Sequence, residues 1–247
     1  MVSWLRHGEE RPVAHVPRAV KVVLVLALCT HVMWQAVTPK PSALAAALSS
    51  PPATSWLRVA SLGEPIALSQ WLVLYLQAFD NQPGLSIPYA ELDYQAVQHW
   101  LAAALSLDPH GQYPLLMATH LYAQVADEHR KRQMLEFVHS QFLVDPDRRW
   151  RWLALAAITA KHQLRDLPLA LTYSESITRS APAAGSWARQ MRIFLLADLG
   201  EHEAAAVMLG ALLASGEVTD AAETHFLMSR LEALKVNDKL SIPAKFP

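Results

Sequence analysis

The pattern of hydrophobic and polar residues along the chain predicts helices almost everywhere. From Trp56 onward, apolar residues recur at the three- and four-residue spacing of an amphipathic helix, and strand signals are missing. Gly, Pro and Asp interrupt this pattern at short intervals. Taking the interruptions as helix ends, we predict helices near residues 56–62, 65–79, 93–107, 112–124, 127–143, 147–163, 167–179, 184–198, 202–214 and 219–235. Connections of about two to five residues favour antiparallel neighbours, so an all-α domain of helical hairpins is expected over residues 55–235.

An apolar run near the start of the chain predicts a membrane-spanning helix at residues 19–37. Val22 to Val37 are mostly apolar, and the run lengthens to nineteen residues if Lys21 extends its ammonium group to the interface. Nineteen helical residues cover roughly 28 Å, about the thickness of the hydrocarbon core of a bilayer. A cleaved secretory signal is the alternative, because Ala43 and Ala45 offer the small residues that a signal peptidase requires.

Charges flanking this run predict the topology. Arg6, Arg11, Arg18 and Lys21 lie at its N-terminal side. Basic residues favour the cytoplasmic side of a membrane, so residues 1–18 are expected in the cytoplasm and the domain outside it. In a bacterium this is a single-pass inner-membrane protein with a periplasmic domain. The opposite topology, with a cytoplasmic domain, stays open.

Three segments fall outside the predicted helices. Residues 38–54 are rich in Pro, Ala and Ser, which indicates a semi-extended linker that holds the domain away from the membrane. Residues 236–247 are predicted to be a loosely docked C-terminal tail. Residues 80–89 form a long insertion, which is either a functional loop or a structural one that buries Leu85 and Ile87.

The helix breaks recur at a regular interval. Pro109, Pro146 and Pro182 follow one another at 37 and 36 residues, each at the end of a predicted helix. A period of this length is typical of two-helix repeats, which bury their apolar faces by stacking on neighbouring repeats. The sequence therefore predicts a solenoid of α-α hairpins.

The second helices carry a pattern known from one repeat family. A small or apolar residue, a large apolar residue, an alanine and a proline follow one another at Val97, Leu101, Ala104 and Pro109. Looser matches occur at Met134, Val138 and Pro146, at Ala170 and Pro182, and over residues 196–213. Residues 93–214 thus resemble a divergent tetratricopeptide-repeat protein, with repeats of 36 or 37 residues in place of 34.

This resemblance implies a right-handed superhelix whose concave face binds an extended peptide or a partner helix. It implies no chemistry of its own. On this basis we expect a membrane-anchored scaffold or accessory subunit that binds partner proteins of an envelope or membrane complex. An unrelated helical array remains the alternative for the fold.

Composition limits the other functional classes. Residues 1–40 contain five basic and two acidic side chains, which leaves the rest of the chain with a net charge of about −4. Nucleic-acid binding is not expected, because it requires a strongly basic face. The single cysteine, Cys29, lies inside the apolar run, so disulfides within the domain and thiolate metal sites are excluded.

No pattern of catalytic or metal-binding residues is present. The domain contains eight histidines, none of which belongs to an HExxH motif, and the chain has no GxSxG motif or phosphate-binding glycine loop. We therefore expect no enzymatic activity, cofactor or metal. The histidines are these: His99, His110, His120, His129, His139, His162, His202 and His225. The alternative is a periplasmic ligand-binding domain or enzyme whose site is assembled by folding.

One cluster of residues suggests a partner-binding site. Arg148, Arg149, Trp150, Arg151 and Trp152 open the helix that follows Pro146. Arg and Trp dominate the energetics of many interfaces, and a first helix lines the concave face of such repeats. In the alternative interpretation, one tryptophan packs inside while the arginines pair with nearby carboxylates.

Overall fold

The computed structural model describes residues 16–38, 46–82 and 84–241, with side chains as far as Lys235. Over these residues the fold is all-α, as predicted, and the exception to helix is one pair of two-residue strands, β1 (Asn81–Gln82) and β2 (Leu85–Ser86). The α-helices are α1 (Arg18–Val37), α2 (Thr54–Ala60), α3 (Pro65–Ala78), α4 (Tyr94–Leu107), α5 (Tyr113–His120), α6 (Glu128–Val144), α7 (Pro146–His162), α8 (Leu167–Ser180), α9 (Ser186–Asp198), α10 (His202–Ala214) and α11 (Ala221–Ser241). Short 3-10 helices occupy Tyr89–Glu91 and Tyr122–Gln124.

The first unit of the structure contains α1. By itself, this is the one helix in the described part of the chain that is long and apolar enough to cross a membrane. None of its residues is buried. The Thr30 hydroxyl donates a 2.8 Å hydrogen bond to the Leu26 carbonyl, which removes a polar group from the helix surface. The helix begins one residue before the predicted range 19–37; residues 1–15 of the predicted cytoplasmic segment lie outside the described residues.

The second unit contains α2–α11, and its helices begin in two ways. Pro lies in the first turn of α3, α5 and α7, where a missing N–H costs nothing. The helices α4, α6 and α8 are instead capped by the carboxylates of Asp93, Asp127 and Asp166, each of which accepts a backbone N–H of the first turn. The chain therefore alternates between a Pro-started first helix and an Asp-capped second helix, although α8 also carries a Pro.

Packing follows the order of the chain. Consecutive helices pack on one another from α3 to α11, and additional contacts join α2 to α4, α4 to α6 and α5 to α7. The turn between α9 and α10 shows how the short connections are made. Gly200 has a φ of 88°, which glycine adopts without steric cost, and the Glu201 N–H donates to the Leu196 carbonyl.

Hydrogen bonds that side chains form with residues distant in sequence show a regular separation. Among the described residues, nearly all of them join positions 32 to 40 residues apart. Examples are Ser69 Oγ donating to the Ala104 carbonyl at 2.8 Å, and Gln98 Nε2 to the Gln133 carbonyl at 2.8 Å. The ion pair of Arg132 with Asp166, 2.6 Å, has the same spacing. The range of 32 to 40 residues includes the intervals of 36 and 37 residues between the helix-ending prolines.

The core runs through the middle of the second unit. Val97, Leu101 and Ala104, which the sequence pattern singled out, are completely buried on α4. Farther along, Leu153 on α7 and Ile177 on α8 are also fully buried. The C-terminal helices add a cluster around Leu209 and Leu227, and the apolar core therefore extends into α10 and α11.

Three tyrosines pack together beside this core. The Tyr122 ring is fully buried and meets Tyr89 and Tyr94 edge to face at 5.8 and 6.4 Å. The Tyr94 hydroxyl donates a 2.8 Å hydrogen bond to the Tyr122 carbonyl. The predicted helix 112–124 is wrong in this region, because α5 ends at His120 and a 3-10 turn carries Tyr122 into the core.

Burial of these phenols predicts a loss of stability at alkaline pH. Burial raises the pKa of Tyr94 to about 12, and it also raises the pKa of Tyr122 and of Tyr173. The folded state favours the neutral phenol, so this contribution is complete below pH 10 and is lost as the pH rises from 10 towards 12. We expect the urea midpoint to fall between pH 9 and pH 11, with phenolate absorbance appearing as the protein unfolds.

The variant Tyr94→Phe provides the comparison, since it should show a smaller fall over the same pH interval. Tyr113→Phe is the matched control, because Tyr113 is 47% exposed. An identical pH dependence in all three proteins would contradict this account of Tyr94.

The structure differs from the predicted linker over residues 46–53. Leu48 is buried, and the Ser49 carbonyl accepts a 2.7 Å hydrogen bond from Trp100 Nε1. Ala46 exchanges two hydrogen bonds with the Gln82 side chain, at 2.7 and 3.1 Å. This half of the segment is docked on the helical domain because it carries a leucine and free backbone groups that the domain can bind. Residues 39–45 of the predicted linker lie outside the described residues.

Two further segments can be compared with their predictions. The predicted tail from residue 236 begins later, because α11 continues to Ser241 and no proline lies between the start of α11 and Pro243. In the insertion at 80–89, Ile87 is buried and its N–H donates to the Asp80 carbonyl at 2.7 Å. Leu85 is half-buried. These observations favour the structural interpretation of that loop.

Candidate partner-binding surface

The predicted Arg–Trp cluster lies in the first two turns of α7, where its side chains point in different directions. Arg149 and Trp150 are buried, 2% and 9% exposed. Arg148 and Arg151 are exposed, and Trp152 is half-buried. The helix rotates about 100° per residue, so five consecutive side chains cannot share one face. The cluster therefore divides into an inner and an outer part.

Arg149 forms the inner part and binds the ends of two other helices. Its Nη1 donates 2.7 Å to the Gln141 carbonyl, one of the last four of α6, and its Nη2 donates 3.1 Å to the Pro109 carbonyl just after α4. Carbonyls at a helix C-terminus lack partners within the helix and favour a cation. Burial lowers the pKa of Arg149, and nearby Asp145 opposes this effect. Arg149 thus has a structural position and is not part of an exposed surface.

Trp150 is covered on two sides by more exposed groups. The Arg151 guanidinium lies 5.4 Å from the centre of a Trp150 ring, and the Trp187 ring of α9 meets Trp150 edge to face at 5.6 Å. Trp187 itself is 51% exposed. A cation over an indole and an edge-to-face aromatic pair are both favourable arrangements. Arg151 and Trp187 are therefore held on a buried tryptophan and present their outer sides to solvent.

Trp152 links α7 to α5. Its Nε1 donates a 2.6 Å hydrogen bond to Gln112 Oε1, and its ring meets that of His120 at 6.4 Å. The remaining arginine of the cluster, Arg148, forms an exposed ion pair with Asp145 at 2.9 Å. The alternative interpretation of the cluster expected one tryptophan to be buried and the arginines to pair with carboxylates. Trp150 and Arg148 agree with that interpretation.

Aromatic residues recur in register along the first helices. Tyr113 on α5, Trp150 on α7 and Trp187 on α9 are each 37 residues apart. Sequence reasoning identified Trp150 alone. Trp187 could have been found from the same spacing, since the interval between Pro109 and Pro146 is also 37 residues. The Trp150 and Trp187 rings are in contact, so this 37-residue interval joins α7 to α9.

We call the solvent-facing side of α5, α7 and α9 the first-helix face, defined by Tyr113, Arg151, Ile158, Trp187 and Phe194. A cleft of about 200 Å³ between α7 and α9 is lined by Ile158, Trp187 and Phe194, among others. Ile158 is 40% exposed, so an aliphatic side chain reaches solvent beside the aromatic ones. The face therefore combines aromatic and aliphatic side chains with basic ones.

The basic groups on this face are not equally available. Lys161, at the edge of the cleft, is paired with Asp198 at 2.5 Å. Among the described residues, no carboxylate lies within salt-bridge distance of Arg151. Arg151 is thus the basic group of the cluster that can bind an incoming acceptor without first breaking an ion pair.

The histidines of the domain are dispersed. In residues 16–38, 46–82 and 84–235, no group of three or more His, Cys, Asp or Glu side chains is placed to hold a metal ion. His139 is half-buried beside Tyr173 and lies 3.0 Å from Ser176 Oγ, and burial lowers its pKa. This contact joins α6 to α8, and its separation of 37 residues falls within the 32 to 40 residues of the other long-range hydrogen bonds.

Comparisons with known proteins give no assignment, since no protein-family model, curated protein or solved structure matches this chain.

Proposed function

We propose that this protein is a membrane-anchored scaffold or accessory subunit that binds partner proteins through the first-helix face. In this proposal α1 spans the membrane, and α3–α11 form a solenoid of hairpins similar to tetratricopeptide repeats. The domain lies on the side of the membrane opposite the N-terminus, which in a bacterium is the periplasm.

The observation that carries the proposal is the register between hairpins. Side-chain hydrogen bonds join residues 32 to 40 apart, and Trp150 contacts Trp187 across a separation of 37. Such a register is expected when each hairpin stacks on the next in the same orientation. Stacking in this way places the first helices side by side, and it makes their outer surface one continuous concave face.

The composition of the first-helix face supports a protein partner. Trp, Tyr and Arg are the residues most enriched among interface hot spots. Trp187 and Arg151 are held in place by Trp150, so little side-chain entropy is lost when a partner binds. An extended peptide or a helix of the partner could place apolar side chains in the cleft beside Ile158.

Affinity purification of the tagged full-length protein in mild detergent tests this function. We expect partner chains to co-purify in near-stoichiometric amounts. The double variant Trp187→Ala with Arg151→Ala should reduce their recovery by about tenfold or more, since two hot-spot side chains contribute at least about 2 kcal/mol. Arg149 is left unchanged because its replacement would perturb the fold.

A matched control comes from the second helices. Val207 on α10 is 67% exposed and Arg179 on α8 is exposed, so Val207→Ala with Arg179→Ala truncates one apolar and one basic side chain on another surface. Recovery of the protein without partners, or equal recovery of partners with both double variants, would contradict the proposed binding face.

A further inference from the structure

Exposed apolar side chains are concentrated in the first helical hairpin of the domain. Trp56, Val59, Leu62 and Ile66 are 71%, 68%, 92% and 53% exposed, and we call these four residues the α2–α3 patch. Two more residues of α3, which are Trp71 and Leu74, are also exposed. Among the side chains that the structure describes after α3, as far as Lys235, eight other large apolar ones are exposed, so six within residues 56–74 are a local concentration.

The conformation of Leu62 is unfavourable for a surface residue. Its φ is 49°, in the left-handed region that costs a leucine about 1 kcal/mol or more, and its side chain is almost fully exposed. A glycine follows it at residue 63, with a φ of 94°. The turn between α2 and α3 therefore directs a large apolar side chain outward, where it has almost no packing against the domain.

Charge is nearly absent from this part of the chain. Between residues 41 and 79 the side chains that are charged at neutral pH are Arg58 and Glu64. Water-facing helices normally carry several charged side chains on their outer face. The bend between α2 and α3 is 113°, and the two helices taken together are as long and as apolar as a membrane-spanning segment. A surface that is so apolar and carries so little charge is more stable in contact with a medium less polar than water.

The sequence between the end of α1 and the docked part of the linker is short. Because residues 46–53 are docked on the domain through Leu48 and Ser49, only residues 39–45 connect Thr38 to the docked segment. Eight Cα-to-Cα steps reach about 28 Å at most. A domain on so short a tether stays at the membrane surface if α1 spans the bilayer.

We propose that the α2–α3 patch inserts into the interface of the same bilayer that α1 spans, so that the domain is held against the lipid surface at its first hairpin. This inference rests on the proposed membrane insertion of α1. Trp56 belongs to the residue type most enriched at membrane interfaces, while Val59, Leu62 and Ile66 would reach the acyl region. Arg58 could extend its guanidinium group to the lipid phosphates.

Nitroxide labels on the full-length protein in vesicles of phosphatidylcholine and phosphatidylglycerol test the proposal. The variant Leu62→Cys, with Cys29→Ala, is labelled and its collision rates with oxygen and with a water-soluble nickel chelate are measured. Because oxygen concentrates in lipid, we expect the Leu62 label to be accessible to oxygen and protected from nickel several-fold relative to a label at Val207→Cys. Val207 is the control because it is exposed on α10.

A label on the native Cys29 separates the two proposals. Cys29 lies within α1 and is exposed. If the Cys29 label lies in lipid while the Leu62 label is as accessible to nickel as the Val207 label, the membrane insertion of α1 is supported. The insertion of the α2–α3 patch into the interface is then wrong. Protection of the Leu62 label from both reagents would mean burial against protein, such as a second copy, and would also overturn the inference. A Cys29 label exposed to nickel would refute the membrane insertion of α1.

Discussion

Replacing Arg149 by methionine should lower the free energy of unfolding by about 2–3 kcal/mol. Methionine keeps most of the apolar stem but cannot donate to the carbonyls of Gln141 and Pro109, which receive bonds of 2.7 and 3.1 Å. The C-terminal end of α6 then loses a buried donor and a favourable positive charge. Thermal unfolding followed by circular dichroism in detergent measures the effect, which should appear as a fall in Tm of about 4–12 °C.

The neighbouring Arg148→Met variant is the control for this prediction. Arg148 forms an exposed ion pair with Asp145, and such pairs contribute about 0–1 kcal/mol. Two adjacent arginines should therefore differ clearly in their effect on stability. Equal melting temperatures for the two variants would contradict the structural position of Arg149.

Replacing Phe142 by alanine should be more damaging, at about 3–5 kcal/mol. Phe142 is completely buried near the end of α6, and its ring centre lies 6.5 Å from that of His139. Its truncation removes the apolar contacts of a fully buried ring and leaves a cavity in the core of the domain. Urea unfolding at pH 8 would show a large shift of the midpoint.

Leu143→Ala tests the same prediction from the next position along the helix. Leu143 is 57% exposed, so its truncation should change stability by less than about 1 kcal/mol. If Leu143→Ala were as destabilising as Phe142→Ala, the assignment of the buried face of α6 would be wrong.

Helix ends were predictable because they depend on local chemistry. Pro in the first turn of α7, the Asp93 cap of α4 and the Gly200 turn after α9 each act within a few residues of the chain. The end of α5 was not predictable in this way, because the sequence from His120 to Gln124 remains compatible with helix. The helix ends there because Tyr122 is buried in a core formed by residues distant in sequence.

The candidate site was also predicted only in part. Composition identified the Arg–Trp cluster, but it could not separate the buried Arg149 from the exposed Arg151. Helical periodicity could have done so, since Arg149 lies four residues before the buried Leu153 and eight before the buried Ala157. The exposed Trp187 required the repeat interval to be applied to aromatic residues as well as to prolines.

Neither periodicity nor composition could have predicted that residues 46–53 of the linker are docked on the domain. Pro, Ala and Ser indicate an extended segment, and residues 46–53 indeed form no helix before Thr54. Whether an extended segment is free or docked depends on whether the domain offers partners for it. Here Gln82 and Trp100 supply hydrogen bonds, from positions 36 and 51 residues farther along the chain.

A crystal structure of the full-length protein grown from a lipidic phase tests the central claim most directly. The account predicts that Tyr113, Trp150 and Trp187 follow one another along adjacent first helices, with the Trp150 and Trp187 rings in contact and the first-helix face open to solvent. A closed helical bundle, in which Trp187 and Ile158 are buried inside the domain and no groove remains, would contradict it.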